Sequence, residues 1–251
     1  MILLMWEILW PIALYELLTE LFCMVLEGTQ ALVIRTISGS IALVILGTIY
    51  GRDRFWQEKN TNDKSVKTLK TGRVLTIIIF CMVGISSSLF CNNLITLSGL
   101  KDKFIGYKQV EEVLYSPPFW LQLVAMGVVV SGVEELIFRG FIYQSLRRRF
   151  VFWVAVVVSS ILFGVYHGNL VQGTYACMVA FVLAWSREKY QSVLAPWVIH
   201  GSGNLTSIFL GKWIELEGKQ MDFSFLFITI CSGLCLFLAI NIMRKRNDRR
   251  I

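Results

Sequence analysis

Residues 119–143 read FWLQLVAMGVVVSGVEELIFRGFIY. A helix needs about 20 mostly apolar residues to cross a bilayer, and this run is long enough. Yet Glu134, Glu135 and Arg139 stand inside it. Ionisable groups are costly in lipid, so such residues normally face protein or a water-filled cavity. The stretch therefore predicts a membrane-spanning helix that lines a buried polar site.

The rest of the chain agrees with that class. It has 251 residues, of which 55% are hydrophobic and 16% charged, and a mean hydropathy of +0.62. Soluble domains are usually richer in charge. The net charge of +7 does not point to nucleic acid, because Lys and Arg sit in short blocks between apolar runs. That distribution fits membrane orientation and anionic lipid. The six cysteines (Cys23, Cys81, Cys91, Cys177, Cys231 and Cys235) all lie in apolar segments and form no Cys-x-x-Cys pair. They predict small buried side chains, with neither a disulfide framework nor a zinc ribbon. The N-terminus is apolar from residue 2 without a basic leader, which predicts a retained helix.

Working outward from 119–143, the length rule gives eight spans: about 2–26, 31–50, 74–97, 119–143, 151–167, 171–185, 193–210 and 223–243. The expected fold is all-α, a polytopic transmembrane bundle forming a single membrane domain over 1–251. Alternate connections (51–73, 144–150, 186–192 and the tail after Met243) hold 17 of the 24 Lys and Arg. The opposite connections, 98–118 and 211–222, hold five. The positive-inside rule then expects both termini in the cytoplasm. Loop 98–118, ending in Pro117-Pro118, reads as an external loop with an amphipathic stretch. The first span carries Glu7, Glu16 and Glu20, with Glu27 at its end, and Arg35 follows in the second. It reads as an interfacial helix or one facing a polar crevice, bent at Pro11, with Arg35 available to pair one carboxylate.

Two further spans carry polar groups. Glu135 and Arg139 are four apart, share a face and can pair. Glu134 points about 100° away and has no cation nearby in sequence, which suits a general base. The alternative is that both glutamates pair with basic groups on neighbouring helices. Phe163 and His167 share a face of the fifth span, and His200 and Asn204 a face of the seventh. The chain contains no other histidine. Two donors one turn apart, His200 and Asn204, suit a developing oxyanion. Ordinary helix–helix hydrogen bonding would also use them. At ~1.5 Å per residue, Glu134 lies ~20 Å along its helix from Arg147, His200 ~16 Å from Lys189, and His167 ~27 Å from Arg149. His167 is therefore the group whose depth fits least well. Gly127, Ser131, Gly132, Gly164, Gly168, Gly201 and Gly203 flank these groups and permit close helix approach.

Glu134-Glu135-x-x-x-Arg139, then Phe163-x-x-x-His167, then His200-x-x-x-Asn204, in that order on separate membrane helices, resemble the CPBP family. That family includes the Rce1-type CAAX prenyl endopeptidases and the bacterial Abi proteins linked to bacteriocin self-immunity. The resemblance covers 119–210, an expected catalytic core. It implies an intramembrane endopeptidase acting on a membrane-associated or lipid-modified peptide, in peptide maturation or self-immunity. It implies that Glu134 and His167 activate water, that His200 and Asn204 hold the oxyanion, and that Glu135, Arg139 and Phe163 support them. No cofactor is required on this reading. Zinc is the open alternative, with Glu134, His167 and His200 as its ligands, although no His-Glu-x-x-His is present. The expected partners are membrane lipid and a peptide or lipidated-protein substrate, and the expected location is the bacterial plasma membrane. A proton-coupled transporter is the competing class, since buried Glu, His and Arg also build ion paths, but matched broken helices are missing. A non-catalytic immunity protein is the third.

Overall fold

The computed structural model describes residues 2–61, 73–104, 116–217 and 223–248. Every regular element among them is helical. They are α1 (Ile2–Val25), α2 (Ala31–Thr61), α3 (Arg73–Leu97), the short α4 (Leu100–Lys103), α5 (Phe119–Arg147), α6 (Phe152–Tyr166), α7 (Leu170–Tyr190), α8 (Leu194–Glu217) and α9 (Phe223–Asp248). Five (α1, α2, α3, α5 and α9) are long and apolar enough to cross a membrane, and α6 is apolar but shorter. The chain is a multi-pass helical membrane protein. Apolar side chains such as Leu17, Leu75, Ile77, Leu234 and Phe237 stand exposed on outer helix faces. In lipid those faces need no further cover. Of the six cysteines expected to be buried, Cys91 is buried, Cys81, Cys177 and Cys231 are partly buried, and Cys23 and Cys235 are exposed because their helices turn those positions outward.

The expected segments 171–185 and 193–210 correspond to α7 and α8. Both helices extend beyond those bounds, to Tyr190 and Glu217. Two packed clusters flank the centre of the bundle. One gathers around α5, where Val133, Ile137, Phe138 and Ile142 meet Tyr15, Ala42, Leu46, Phe163 and Ala180. The other joins α3, α7, α8 and α9 through Val83, Leu183, Ile199 and Met243. The polar site lies between them.

One end of the bundle is basic. Arg148 and Arg149 pair with Glu7 at 3.1 and 2.8 Å. Arg147 pairs with Glu188 at 3.0 Å, and Lys189 donates to the carbonyl of Arg244. The basic residues 62–72, positions 105–115 of the expected external loop 98–118 with its amphipathic stretch, and the tail 249–251 lie outside the described residues. Helix α1 continues through Pro11 and ends at Val25, so Glu27 lies just beyond it.

α5 departs from regular α geometry at Ala125–Val130 and Leu136–Ile142, which are π-helical. Such widened turns are rare, and they often occur at functional sites. Side chains bond to carbonyls in the first widened stretch. Asn204 Nδ2 donates to Met126 O at 2.9 Å, Trp197 Nε1 to Val128 O at 3.0 Å, and Ser131 Oγ to Gly127 O at 3.0 Å. α8 can reach this backbone because Gly201 meets Gly127, and a Cβ on Gly201 would overlap the Gly127 carbonyl.

Candidate active site

Glu134 and Glu135 occupy one turn of α5 between its two widened stretches, and both are buried. The Glu135 carboxylate is fully enclosed. Its Oε1 accepts from Arg139 Nη1 at 3.0 Å and from His200 Nδ1 at 2.8 Å. Arg139, 1% exposed, also donates from Nη2 to the Ala180 carbonyl at 3.3 Å. Its guanidinium lies over the Phe163 ring, 4.5 Å from the centroid. Two hydrogen bonds and a cation–π contact compensate a charge that would otherwise be very costly in this setting.

Phe163 is the hub of the aromatic contacts. Its ring stands edge-to-face with Phe138 at 4.9 Å, His167 at 4.8 Å and His200 at 5.7 Å. It thereby touches Arg139 and both imidazoles. Edge-to-face aromatic pairs add ~0.5–1.5 kcal/mol each beyond area burial.

His167 was expected inside a spanning helix. Instead α6 stops at Tyr166 and His167 is its C-cap. Gly168 follows with φ +71°, a conformation that glycine adopts without a Cβ penalty. Asn169 then caps α7, its Oδ1 accepting from the Gln172 amide at 2.8 Å. The α6–α7 corner therefore turns at the depth of the site. With only 15 residues, α6 ends where its histidine is needed. Nδ1 of His167 bonds the Phe163 carbonyl at 2.8 Å. A carbonyl can only accept, so Nδ1 carries the hydrogen of that bond and Nε2 is left for other partners.

His200 is fixed in the same manner. Its Nδ1–H donates to Glu135, and its Nε2 faces Glu134 Oε2 at 3.8 Å. Asn204, one turn further along α8, spends one amide hydrogen on Met126 O. It retains a second amide hydrogen and its carbonyl oxygen.

Glu134, Phe163, His167, His200 and Asn204 all line one cavity of about 380 Å³. Glu135 and Arg139 sit behind it. Three elements missing from the expected core also contribute. α1 and α2 supply Glu16 and Arg35, and α3 supplies Ser88 and Asn92. Arg35 Nη1 lies 3.9 Å from Glu16 Oε1, and the Tyr166 hydroxyl bonds the same carboxylate. In the same lining Ser88 and Ser207 share a 3.0 Å hydrogen bond, joined by Asn92 and Tyr175 at 3.1 Å each. The opposite charges in consecutive spans were a signal for Glu16 and Arg35. Serines and asparagine in an apolar helix gave a weaker one, because serine often bonds its own helix backbone.

No three His, Cys, Asp or Glu side chains converge to hold a metal ion among the described residues. Glu134, His167 and His200 line one cavity, but they do not form such a group. Around Glu134 the cavity offers two imidazoles held through Nδ1 and an amide donor, with Glu16 and Arg35 as further charged groups in its lining.

The family-model match concerns this same region. Residues 116–206 match the family model described as type II CAAX prenyl endopeptidase Rce1-like. The UPF0177 protein YxdF of Lactococcus lactis subsp. lactis (strain IL1403) is 28% identical over 144 residues, covering 55% of this chain and 78% of its own length. A second protein of that strain, UPF0177 protein YbdI, is 28% identical over 89 residues, 35% of this chain and 48% of its own. The Bacillus subtilis (strain 168) protein named "Putative membrane peptidase YdiL" is 24% identical over 112 residues, 41% of this chain and 46% of its own. This chain thus spans about half the length of the latter two. No solved structure matches.

Proposed function

Taking this chain as a CPBP-family membrane protein, we propose that it is an intramembrane endopeptidase with a glutamate-dependent, metal-free mechanism. The observation that carries the reading is the cavity shared by Glu134, His167, His200 and Asn204.

On this reading Glu134 is the general base. Its carboxylate takes a proton from a water molecule in the cavity, and the oxygen attacks the scissile carbonyl carbon. Nε2 of His167, left available by the Nδ1 bond to Phe163 O, accepts a hydrogen bond from the same water and aims it. The carbonyl oxygen becomes an oxyanion, held by the His200 imidazole and by the second amide hydrogen of Asn204. Fixed donors at developing charge are worth most in a site screened from bulk water. Glu134 then passes its proton to the leaving nitrogen as the C–N bond breaks, leaving an acid and an amine. Glu135 and Arg139 hold His200 in place from behind.

The basic end of the bundle faces the cytoplasm on this proposal, as the positive-inside rule directs. Arg35 lies in the second turn of α2, Lys101 lies beyond the end of α3 and Gln172 lies in the first turn of α7; all three line the cavity. Antiparallel succession of the helices places these positions at the end away from Arg147–Arg149. The cavity therefore opens toward the outer half of a bacterial plasma membrane, and a peptide would enter from there. Peptide maturation and bacteriocin self-immunity are the biological settings consistent with such access.

The test compares membrane and secreted peptides from cells carrying wild type or Glu134→Ala by mass spectrometry. We expect a set of cleavage products that disappears in the variant at equal protein level. Identical peptide profiles would overturn the assignment.

A further inference from the structure

Arg35 enters the cavity from α2, outside the segment that matches the family model. An arginine in a spanning helix needs strong compensation, yet its ion pair with Glu16 is long at 3.9 Å and its side chain is 45% exposed. Tyr15 and Tyr166 are its other polar neighbours. Glu16 Oε1 is meanwhile engaged by the Tyr166 hydroxyl. A guanidinium carries five N–H donors in a planar fork, and these neighbours cannot occupy all of them. The fork matches a carboxylate in two-point geometry.

Charge at this end of the cavity points the same way. Arg35, Lys101, Glu16 and Glu134 all line it, and Glu134 stands 3.8 Å from His200 Nε2. Ser88, Asn92, Tyr175 and Ser207 form a neutral, mutually hydrogen-bonded part of the same lining. An extended peptide could bond that part through its backbone and present an acidic group to Arg35.

We propose that Arg35 is the specificity-determining residue of this cavity, binding a carboxylate of the substrate peptide in place of its long contact with Glu16. The inference rests on the endopeptidase reading and specifies the substrate class: peptides with a free C-terminal carboxylate or an acidic side chain near the cleaved bond. Arg35 contributes to substrate binding rather than to bond cleavage, so its loss should raise KM and leave kcat largely unchanged.

The experiment uses the full-length protein in lipid nanodiscs, as the Glu134→Gln variant, so that binding is read without turnover. The probes are three versions of one short fluorescent Leu/Ala-rich peptide: the free acid, the C-terminal amide, and the amide with one internal Glu. We expect one or both carboxylate-bearing peptides to bind about 10- to 100-fold more tightly than the plain amide, as charge-assisted hydrogen bonds allow. Adding Arg35→Gln should abolish that preference without weakening amide binding, and Arg35→Lys should retain part of it. Whichever acidic peptide binds more tightly identifies the source of the carboxylate. Equal binding of all three, no binding of any, or a preference that survives Arg35→Gln would overturn the proposal. Cleavage of the same peptides by protein with Glu134 intact is scored separately. Preferential binding without cleavage would sink the endopeptidase reading and leave the anion site standing.

Discussion

Nδ1 of His200 lies 2.8 Å from Oε1 of Glu135, across the contact between α8 and α5. The same oxygen accepts from Arg139 at 3.0 Å. Glu135 is therefore more than the i,i+4 partner of an arginine on its own helix. It joins the cation that neutralises it to the imidazole that faces Glu134, and so fixes which nitrogen of His200 meets the cavity.

Glu135→Ala and Arg139→Ala should each lose folded protein, because each leaves its partner as an uncompensated buried charge, at about 3–5 kcal/mol. The double replacement Glu135→Leu with Arg139→Met should recover much of the thermal stability and none of the activity. Thermal unfolding in detergent, measured beside peptide cleavage, checks both. Additive losses in the double variant would contradict the pairing.

Glu134→Gln keeps size and hydrogen bonding but removes the proton acceptor. Cleavage should fall by about 100- to 10,000-fold, the usual range for a general base, with unchanged unfolding temperature. A zinc chelator should leave the wild-type rate unaltered, since no three ligands converge here. Inhibition by chelation, reversed by added zinc, would refute the metal-free mechanism.

Asn204→Ala removes the remaining amide hydrogen from the cavity and the bond to Met126 O. The first loss should lower kcat by about 100- to 1,000-fold with little change in KM. The second should cost about 1 kcal/mol of stability. Steady-state kinetics and unfolding measured on one preparation separate the two effects. An unchanged kcat would remove Asn204 from oxyanion binding.

Gly201→Leu forces a side chain against the Gly127 carbonyl, where even a Cβ overlaps. The α5–α8 contact should open and destabilise the protein by at least about 1–3 kcal/mol. His200 would shift with it, so activity should fall more steeply than stability. A fully active, stable Gly201→Leu protein would mean that the helices do not approach as described.

Topology can be read by cysteine labelling. In a background with the six native cysteines replaced, Lys101→Cys should react with an impermeant maleimide added outside intact cells. Arg147→Cys should react only after permeabilisation. The reverse pattern would put the cavity mouth on the cytoplasmic side.

The sequence by itself determined the membrane class and the helical order, because hydropathy and the 3.6-residue period are local properties of the chain. It also singled out Glu134, Glu135, Arg139, His167, His200 and Asn204, since polar residues in apolar helices stand out, and the family resemblance added Phe163. At His167 the expected span 151–167 ran one residue beyond α6, which ends at Tyr166; the backbone turns at Gly168 and places the histidine on the cap. Only the tertiary structure decided which partners meet: Glu135 with His200, Asn204 with the widened turn of α5, and Glu16 and Arg35 with the cavity. Those pairings depend on how closely and at what register the helices pack, which small residues such as Gly127 and Gly201 allow but do not specify one residue at a time.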